Sequence, residues 1–268
     1  MHTYLDAIIA AHREAAAADG RDLRRLKDEA QARGPARGFT RTLMATKAPR
    51  RPAVIAELKR QSPSKGVLAP SLVPGVVAKT YAAAGAACLS VLTDTQFFGG
   101  SAHDLAEARA AVDLPILRKD FTVCQADVCD AKIMGADAVL LIVRALSRGE
   151  LGDLLGLAAA LGLDALVEVH DDAEAELAVE AGALLIGVNQ RDLATFEVDT
   201  DRAVRVARLL PAGVVRVAES GIRTPADIAR LASAGFDAVL IGEALVTAAD
   251  PAEALAGLLA AGDVGPRS

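Results

Sequence analysis

Glu57 and Lys59 stand two residues apart at the end of the short apolar run Val54–Leu58. If that run is a strand, the alternation of side chains puts the acid and the lysine on one face. Desolvating both groups is expensive without a purpose, so the pair predicts a reactive rim and not a packed core. The loop that follows, Arg60-Gln61-Ser62-Pro63-Ser64-Lys65-Gly66, carries hydroxyls, a cation and a glycine suited to an anion. These types together imply acid and base chemistry on an acidic substrate.

Ionic and amide groups recur at the ends of further apolar runs: Thr93-Asp94, Lys119-Asp120, Glu168 with His170, Asn189 with Arg191, Glu219-Ser220 and Gly242-Glu243. Lys119 can be read as a proton donor or as an ion-pair partner of Asp120. Glu168 can be read as a base or as a rim salt bridge. His170 is read as a supporting residue beside Glu168. Glu219-Ser220-Gly221-Ile222 and Ile241-Gly242-Glu243-Ala244 place glycines where backbone N–H groups can approach phosphate oxygens.

Such residues need a frame that brings them together. Eight apolar, β-branched runs recur along the chain: Val54–Leu58, Cys88–Thr93, Pro115–Lys119, Ala138–Val143, Ala165–Val169, Leu184–Asn189, Val214–Glu219 and Ala238–Gly242. Continuous apolar strands indicate a parallel sheet covered by helices. Helical periods fill the intervals: Val73–Ala84, Leu105–Val112, Gln125–Met134, Arg148–Leu161, Ala173–Ala181, Arg202–Leu209, Pro225–Ala234 and Pro251–Leu259. Gly85, Gly135, Gly182 and Gly235 fit left-handed helix ends. Thr224-Pro225 and Asp250-Pro251 fit helix starts.

Eight strand–helix units predict an α/β fold, a (β/α)8 barrel whose strands end at a common mouth. A doubly wound open sheet would carry GxGxxG after its first strand, and none occurs there. Residues 1–268 then form a single barrel domain, with 1–47 as an N-terminal helical extension. Leu5, Ile8, Ile9 and His12 suggest one helix there, and Leu23, Leu26 and Ala30 a second, stopped at Gly34-Pro35. The run Lys47-Ala48-Pro49-Arg50-Arg51-Pro52 reads as a solvated connector, since it holds no aromatic residue for stacking.

Net charge is −6 over 268 residues, which argues against a nucleic-acid partner. Cys88, Cys124 and Cys129 form no CxxC pair, so reduced thiols in a cytoplasmic protein are expected. Met1-His2-Thr3-Tyr4-Leu5-Asp6 lacks the features of a leader, and no apolar stretch reaches the roughly 20 residues of a membrane helix. No metal or organic cofactor is expected. A monomer or a homodimer is compatible with the sequence.

Ala56–Gly66, Ser90-Val91-Leu92-Thr93-Asp94 with Phe97-Phe98-Gly99-Gly100-Ser101, Pro115–Phe121, Gly187–Leu193 and Ala218–Ile222 together resemble the motifs of the indole-3-glycerol-phosphate synthase family. The resemblance spans essentially the whole chain. One stretch departs from it: Cys124-Gln125-Ala126-Asp127 stands where Asp-Pro-Tyr-Gln is more usual, at the expected start of a helix. The resemblance implies conversion of 1-(2-carboxyphenylamino)-1-deoxyribulose 5-phosphate to indole-3-glycerol phosphate, CO2 and water, in tryptophan biosynthesis. It implies Lys119 as the acid of ring closure, Lys59 as a second cation, Glu168 as the base of dehydration, and Glu57 and Asn189 as orienting partners of Lys119. It implies substrate contacts at Ser62, Arg191, Glu219, Ser220, Gly221, Gly242 and Glu243, the last through its backbone N–H. Phe98 and Phe121 would wall the aromatic ring. The chain has only six Phe, two Tyr and no Trp, so two at strand-end loops fit that use, although barrel-top packing explains either alone.

Three rivals remain open at this level. Phosphoribosylanthranilate isomerase would use a cysteine at the first strand end and an aspartate at the sixth, where Glu57 and Asn189 stand. A Schiff-base aldolase would place its lysine at the sixth. A non-catalytic barrel could bind a phosphorylated metabolite without needing both acid and base.

Overall fold

Each apolar run forms a parallel strand because its alternate side chains can face a barrel interior and a helical layer at once. A computed structural model describes residues 3–48, 51–192 and 195–260. Its barrel strands are Ala53–Leu58, Cys88–Leu92, Ile116–Lys119, Ala138–Ile142, Asp164–Val169, Leu185–Asn189, Val215–Glu219 and Ala238–Ile241. They close in sequence order, the first pairing with both the second (Ile55 opposite Cys88) and the eighth (Ala53 opposite Ala238). The (β/α)8 architecture is therefore present.

Helices α1 (Tyr4–Ala18), α2 (Leu23–Gln31) and α3 (Phe39–Thr46) precede the barrel. Around it run α4 (Pro74–Ala83), α5 (Ala102–Ala111), α6 (Gln125–Met134), α7 (Arg148–Ala160), α8 (Asp172–Glu180), α9 (Arg202–Val206), α10 (Pro225–Ser233), the one-turn α11 (Glu243–Val246) and α12 (Pro251–Leu259). Gly85, Gly135, Gly182 and Gly235 all have positive φ at helix ends, as expected. Thr224 and Asp250 cap α10 and α12 ahead of their prolines. Helix α5 begins at Ala102, earlier than its apolar period indicates, because the Ser101 hydroxyl accepts from the Asp104 N–H. Helix α9 ends at Val206, short of Leu209.

Helix α3 has no counterpart in the sequence reading. Its N-cap is Gly38 with no side-chain cap, and only Phe39 and Leu43 are buried. Those two side chains join Ala53 and Cys88 in the barrel's inner core. The Asp164 carboxylate accepts the Thr40 N–H, and Asp137 accepts the Arg37 N–H. Helix α3 thus plugs the amino-terminal end of the barrel. Helix α1 lies over the opposite end, where Leu5 and Ile8 pack with Phe97, Phe98 and Phe121. Burying each such side chain contributes about 1.5–3 kcal/mol.

The unusual Cys124–Asp127 stretch does open a helix. Asp127 accepts the N–H groups of Val123 and Cys124 at 2.9 and 3.0 Å, capping α6. At the basic connector Ala48 and Arg51 exchange backbone bonds, and Lys47 pairs with Asp237. Pro49 and Arg50 of that connector, Leu193 of the sixth-strand motif, Met1-His2 of the leader reading and the end of the chain from 261 lie outside the described residues.

Candidate active site

Alternate strands of such a barrel contribute one layer of side chains. Here the odd strands supply Glu57, Lys119, Glu168 and Glu219. The Lys119 ammonium donates to Glu168 Oε2 and to Glu219 Oε2, each at 2.7 Å. Lys59 donates to Glu57 Oε1 at 2.6 Å, as the shared-face argument predicts. Ser90 donates to the other Glu57 oxygen at 3.4 Å.

Four large ionic side chains fit because their neighbours are small. A Cβ on Gly187 would sit 2.2 Å from Glu219 Oε1, and one on Gly242 would sit 2.4 Å from Glu57 Oε1. Both contacts are closer than real Cβ atoms allow, so a side chain at either position would displace the carboxylate from its observed place.

Burial works against the Lys119 charge, but Glu168, Glu219 and Glu57 outweigh it and raise its pKa. Burial also pushes Glu168 up, yet Lys119 and His170 overcome this and hold it well below the usual carboxylate range. Glu219 goes the other way. Burial pushes it up and Glu168 adds to the push, against the pull of Lys119, leaving it at about 7. Two acids sharing one lysine are thus driven apart: Glu168 is the ionised partner, and Glu219 can carry a proton near neutrality.

Asn189 donates to Glu168 Oε1 at 3.2 Å, and its own side-chain oxygen accepts the Arg191 N–H at 3.0 Å. The groups that bond Lys119 are therefore Glu168 and Glu219. Glu57 bonds Lys59, and Asn189 bonds Glu168. Asp120, the alternative partner considered for Lys119, pairs with Arg118 at 2.9 Å.

After the seventh strand, Ser220 and Gly221 both adopt left-handed backbone, with φ of 66° and 72°. The Gln190 side-chain amide holds the Ser220 carbonyl at 2.7 Å. The Glu243 carboxylate accepts from Arg191 and Arg223 at 3.1 and 2.7 Å. Across the mouth, the Phe98 and Phe121 rings lie 6.2 Å apart at 38°.

One concave pocket holds Glu57, Lys59, Ser62, Phe98, Lys119, Phe121, Glu168, Asn189, Arg191, Glu219, Ser220, Gly221, Gly242 and Glu243. Every residue to which the resemblance gives a role lines it, whereas Thr93 and Asp94 do not. His170 does not; it is buried behind Glu168. The sequence reading did not place Tyr4, Ile8, Phe196 or Arg223 in the site, and they line the same pocket. Arg223 had a signal, a guanidinium three residues past Ser220 in one glycine loop. Tyr4 and Ile8 had none, because nothing local says that α1 covers the mouth.

His12, Asp94 and Asp120 offer ligand atoms within 4.8 Å of one another, a set that could hold a cation. Asp94 already accepts from the Phe97 and Phe98 N–H groups, and Asp120 from Thr93 and Arg118. His12 Nε2 lies 2.9 Å from Asp94. Burial opposes its protonation, but Asp94 and Asp120 outweigh burial and raise its pKa.

A family model described as indole-3-glycerol phosphate synthase matches residues 5–258. An indole-3-glycerol phosphate synthase of Polaromonas sp. (strain JS666) is 47% identical over 260 residues, 96% of this chain and 98% of that protein. Indole-3-glycerol phosphate synthase 1 of Streptomyces coelicolor is 53% identical over 210 residues, 78% of each chain. Among solved structures, a 3-hexulose-6-phosphate synthase superposes with a TM-score of 0.62 at 18% identity, covering 78% of this chain and 99% of its own. That likeness speaks to the barrel alone.

Proposed function

The chain belongs to the indole-3-glycerol phosphate synthase family, and from that premise we propose how its barrel mouth carries the reaction. It is a carboxy-lyase of tryptophan biosynthesis. It converts 1-(2-carboxyphenylamino)-1-deoxyribulose 5-phosphate into indole-3-glycerol phosphate, CO2 and water. The observation that carries the residue assignment is the Lys119 ammonium shared between Glu168 and Glu219 at 2.7 Å.

Ring closure joins the carboxylate-bearing aryl carbon to the ketone carbon and loads negative charge onto the ketone oxygen. Lys119 donates its proton there. Its raised pKa keeps it charged until then, and an alkoxide is a stronger base than the amine left behind. Loss of CO2 returns an electron pair to the ring. Dehydration then expels the new hydroxyl as water. Lys59 supplies the proton for that departure, and the ionised Glu168 takes up the proton lost from the substrate. Glu219 and Asn189 orient Lys119 and Glu168. Glu57 orients Lys59.

Phe98 and Phe121 wall the aromatic ring. Ser62 and Arg191 meet the carboxylate or hydroxyl groups. Ser220, Gly221, Gly242 and Glu243 take the phosphate end, where the loops after the seventh and eighth strands of such barrels commonly do so. Arg223 joins that end. No step in this scheme calls for a cofactor.

The acid–base set around one lysine supports this reading over a barrel that only binds. Incubating the purified chain with the substrate and following indole fluorescence tests the assignment. Product formation abolished in Lys119→Met and Glu168→Gln supports it, and a fully active Glu168→Gln refutes the base role.

Residues 1–268 are proposed as one domain with 1–47 as its helical extension, supported by Leu5, Ile8, Phe39 and Leu43 sharing the barrel's inner core. Free Cys88, Cys124 and Cys129 support a cytoplasmic setting, and no described helix is long and apolar enough to cross a membrane. A monomer or homodimer without nucleic acid is the proposed assembly, which sedimentation would test.

A further inference from the structure

His170 is an ionisable side chain beside Glu168 that the mechanism leaves unused. It follows the fifth strand directly, and its side chain is 1% exposed. Nδ1 lies 3.0 Å from Glu174 Oε2, and Nε2 lies 3.4 Å from Glu168 Oε1. Glu174 sits in the first turn of α8 and also accepts the His170 backbone N–H at 2.8 Å. Its second oxygen accepts from Arg144 at 2.8 Å.

The helix start does not need the ring. The Asp171 carboxylate caps α8 by accepting the Glu174 N–H, and the contact from the His170 backbone to Glu174 would survive any side chain at 170. What the imidazole adds is a second face, turned on the Glu168 oxygen that Lys119 does not hold. Asn189 approaches the same oxygen at 3.2 Å. Glu168 is thus bonded on one oxygen by Lys119 and on the other by Asn189, and His170 Nε2, buried without a hydrogen-bond partner of its own, faces that second oxygen at 3.4 Å as an ion-pair contact.

We propose that His170 is a positioning residue for Glu168: wedged between Glu168 and Glu174 as an imidazolium, it fixes the rotamer of the carboxylate and keeps it ionised. The inference rests on the base role given to Glu168 above. His170 itself exchanges no proton with the substrate. It lies out of the pocket and reaches the reaction only through Glu168.

The charges in contact with this pair come from several elements. Lys119 (third strand) and Glu219 (seventh) face Glu168 from the mouth. Glu174 and Asp171 stand at the α8 start, and Arg144 pairs with both at 2.8 and 3.5 Å. Burial opposes protonation of His170, but Glu168 and Glu174 prevail and raise its pKa to about 9. The ring is therefore charged at neutral pH. Removing a neighbouring positive charge raises a carboxylate's pKa, so Glu168 should then need a higher pH to ionise.

The test is the pH profile of kcat/KM for His170→Gln beside the parent, with Glu168→Gln as control. The expected result is an acid limb moved up by about one pH unit and, on the plateau above it, kcat reduced about 10- to 100-fold by the loosened carboxylate, with KM changed little. A purely structural role would lower thermal stability and leave the limb in place, and that result overturns the proposal. If His170→Gln does not fold, Glu174→Gln decides. Loss of that carboxylate removes the partner 3.0 Å from Nδ1 that holds the ring against Glu168, and the limb must again rise; an unmoved limb refutes the inference. An inactive Glu168→Gln with an unmoved His170→Gln limb sinks only the positioning role, whereas an active Glu168→Gln sinks the base assignment beneath it.

Discussion

Replacing Lys119 by Met tests the site where its charges are most tightly linked. Methionine keeps the length and most of the volume of the lysine, so packing is little changed. The charge is another matter. The Lys119 side chain is only 15% exposed, and its two carboxylate partners are 3% and 2% exposed. Removing one partner of a buried ion pair costs about 3–5 kcal/mol. A stranded carboxylate can escape that penalty by taking up a proton. At pH 7, protonating a group of reference pKa about 4.3 costs about 1.36 kcal/mol per pH unit, or about 4 kcal/mol. The two routes are equal in scale, so the variant should fold with a proton on an acid that is ionised in the parent.

This gives a sign. A carboxyl whose folded pKa lies above its unfolded value stabilises the fold at low pH and loses that contribution as pH rises through the folded pKa. Relative to the parent, Lys119→Met should therefore recover about 2 kcal/mol between pH 7 and pH 5.5. Urea unfolding at the two pH values measures it, and indole fluorescence measures turnover, which should fall at least about 10³-fold. A stability difference from the parent that is the same at both pH values would refute the linkage. A variant within tenfold of parental kcat would refute the acid role.

Glu168→Gln should lower kcat by about 10²- to 10⁴-fold while KM moves severalfold at most, because the base acts after binding; steady-state kinetics would show an effect confined to KM if the role is wrong. Gly221→Ala should weaken inhibition by inorganic phosphate and lose about 1–2 kcal/mol in thermal unfolding. Its φ is 72° and an added Cβ would lie 2.5 Å from Val198 Cγ1; parental inhibition would contradict the phosphate assignment. His12→Asn should raise KM about fivefold with kcat kept, by loosening α1 over the mouth. For His12 the raised pKa puts that contribution below its unfolded pKa and removes it as pH rises through the folded one. An unchanged KM at pH 6 would count against the helix as a cover.

The barrel was legible because its signals are local. Apolar runs such as Ala138–Ile142, and glycines such as Gly135 ending α6, announce themselves within a few residues. The ionic ring was half legible. Polar types at strand ends are visible in the chain, and Glu57 with Lys59 could be paired by alternation alone. Which acid holds Lys119 was not visible, since Glu168 and Glu219 reach it only when odd strands face one another across a closed cylinder. The grip of His12 on Asp94 spans distant segments and has no periodic signature. Helix α3 escaped notice because Gly38 is no recognisable start and two buried side chains make too short a period.

The tight approach of Gly187 to Glu219 has a consequence for inheritance. Any side chain at 187 would occupy the space of the acid's free oxygen. The constraint therefore runs from 219 to 187. A lineage that acquires alanine or serine at 187 must first shorten or turn away the acid at 219, and so loosen the hold on Lys119. Gly187 cannot gain a side chain while Glu219 keeps its place, so descendants with a side chain at 187 should be found altered at 219 as well.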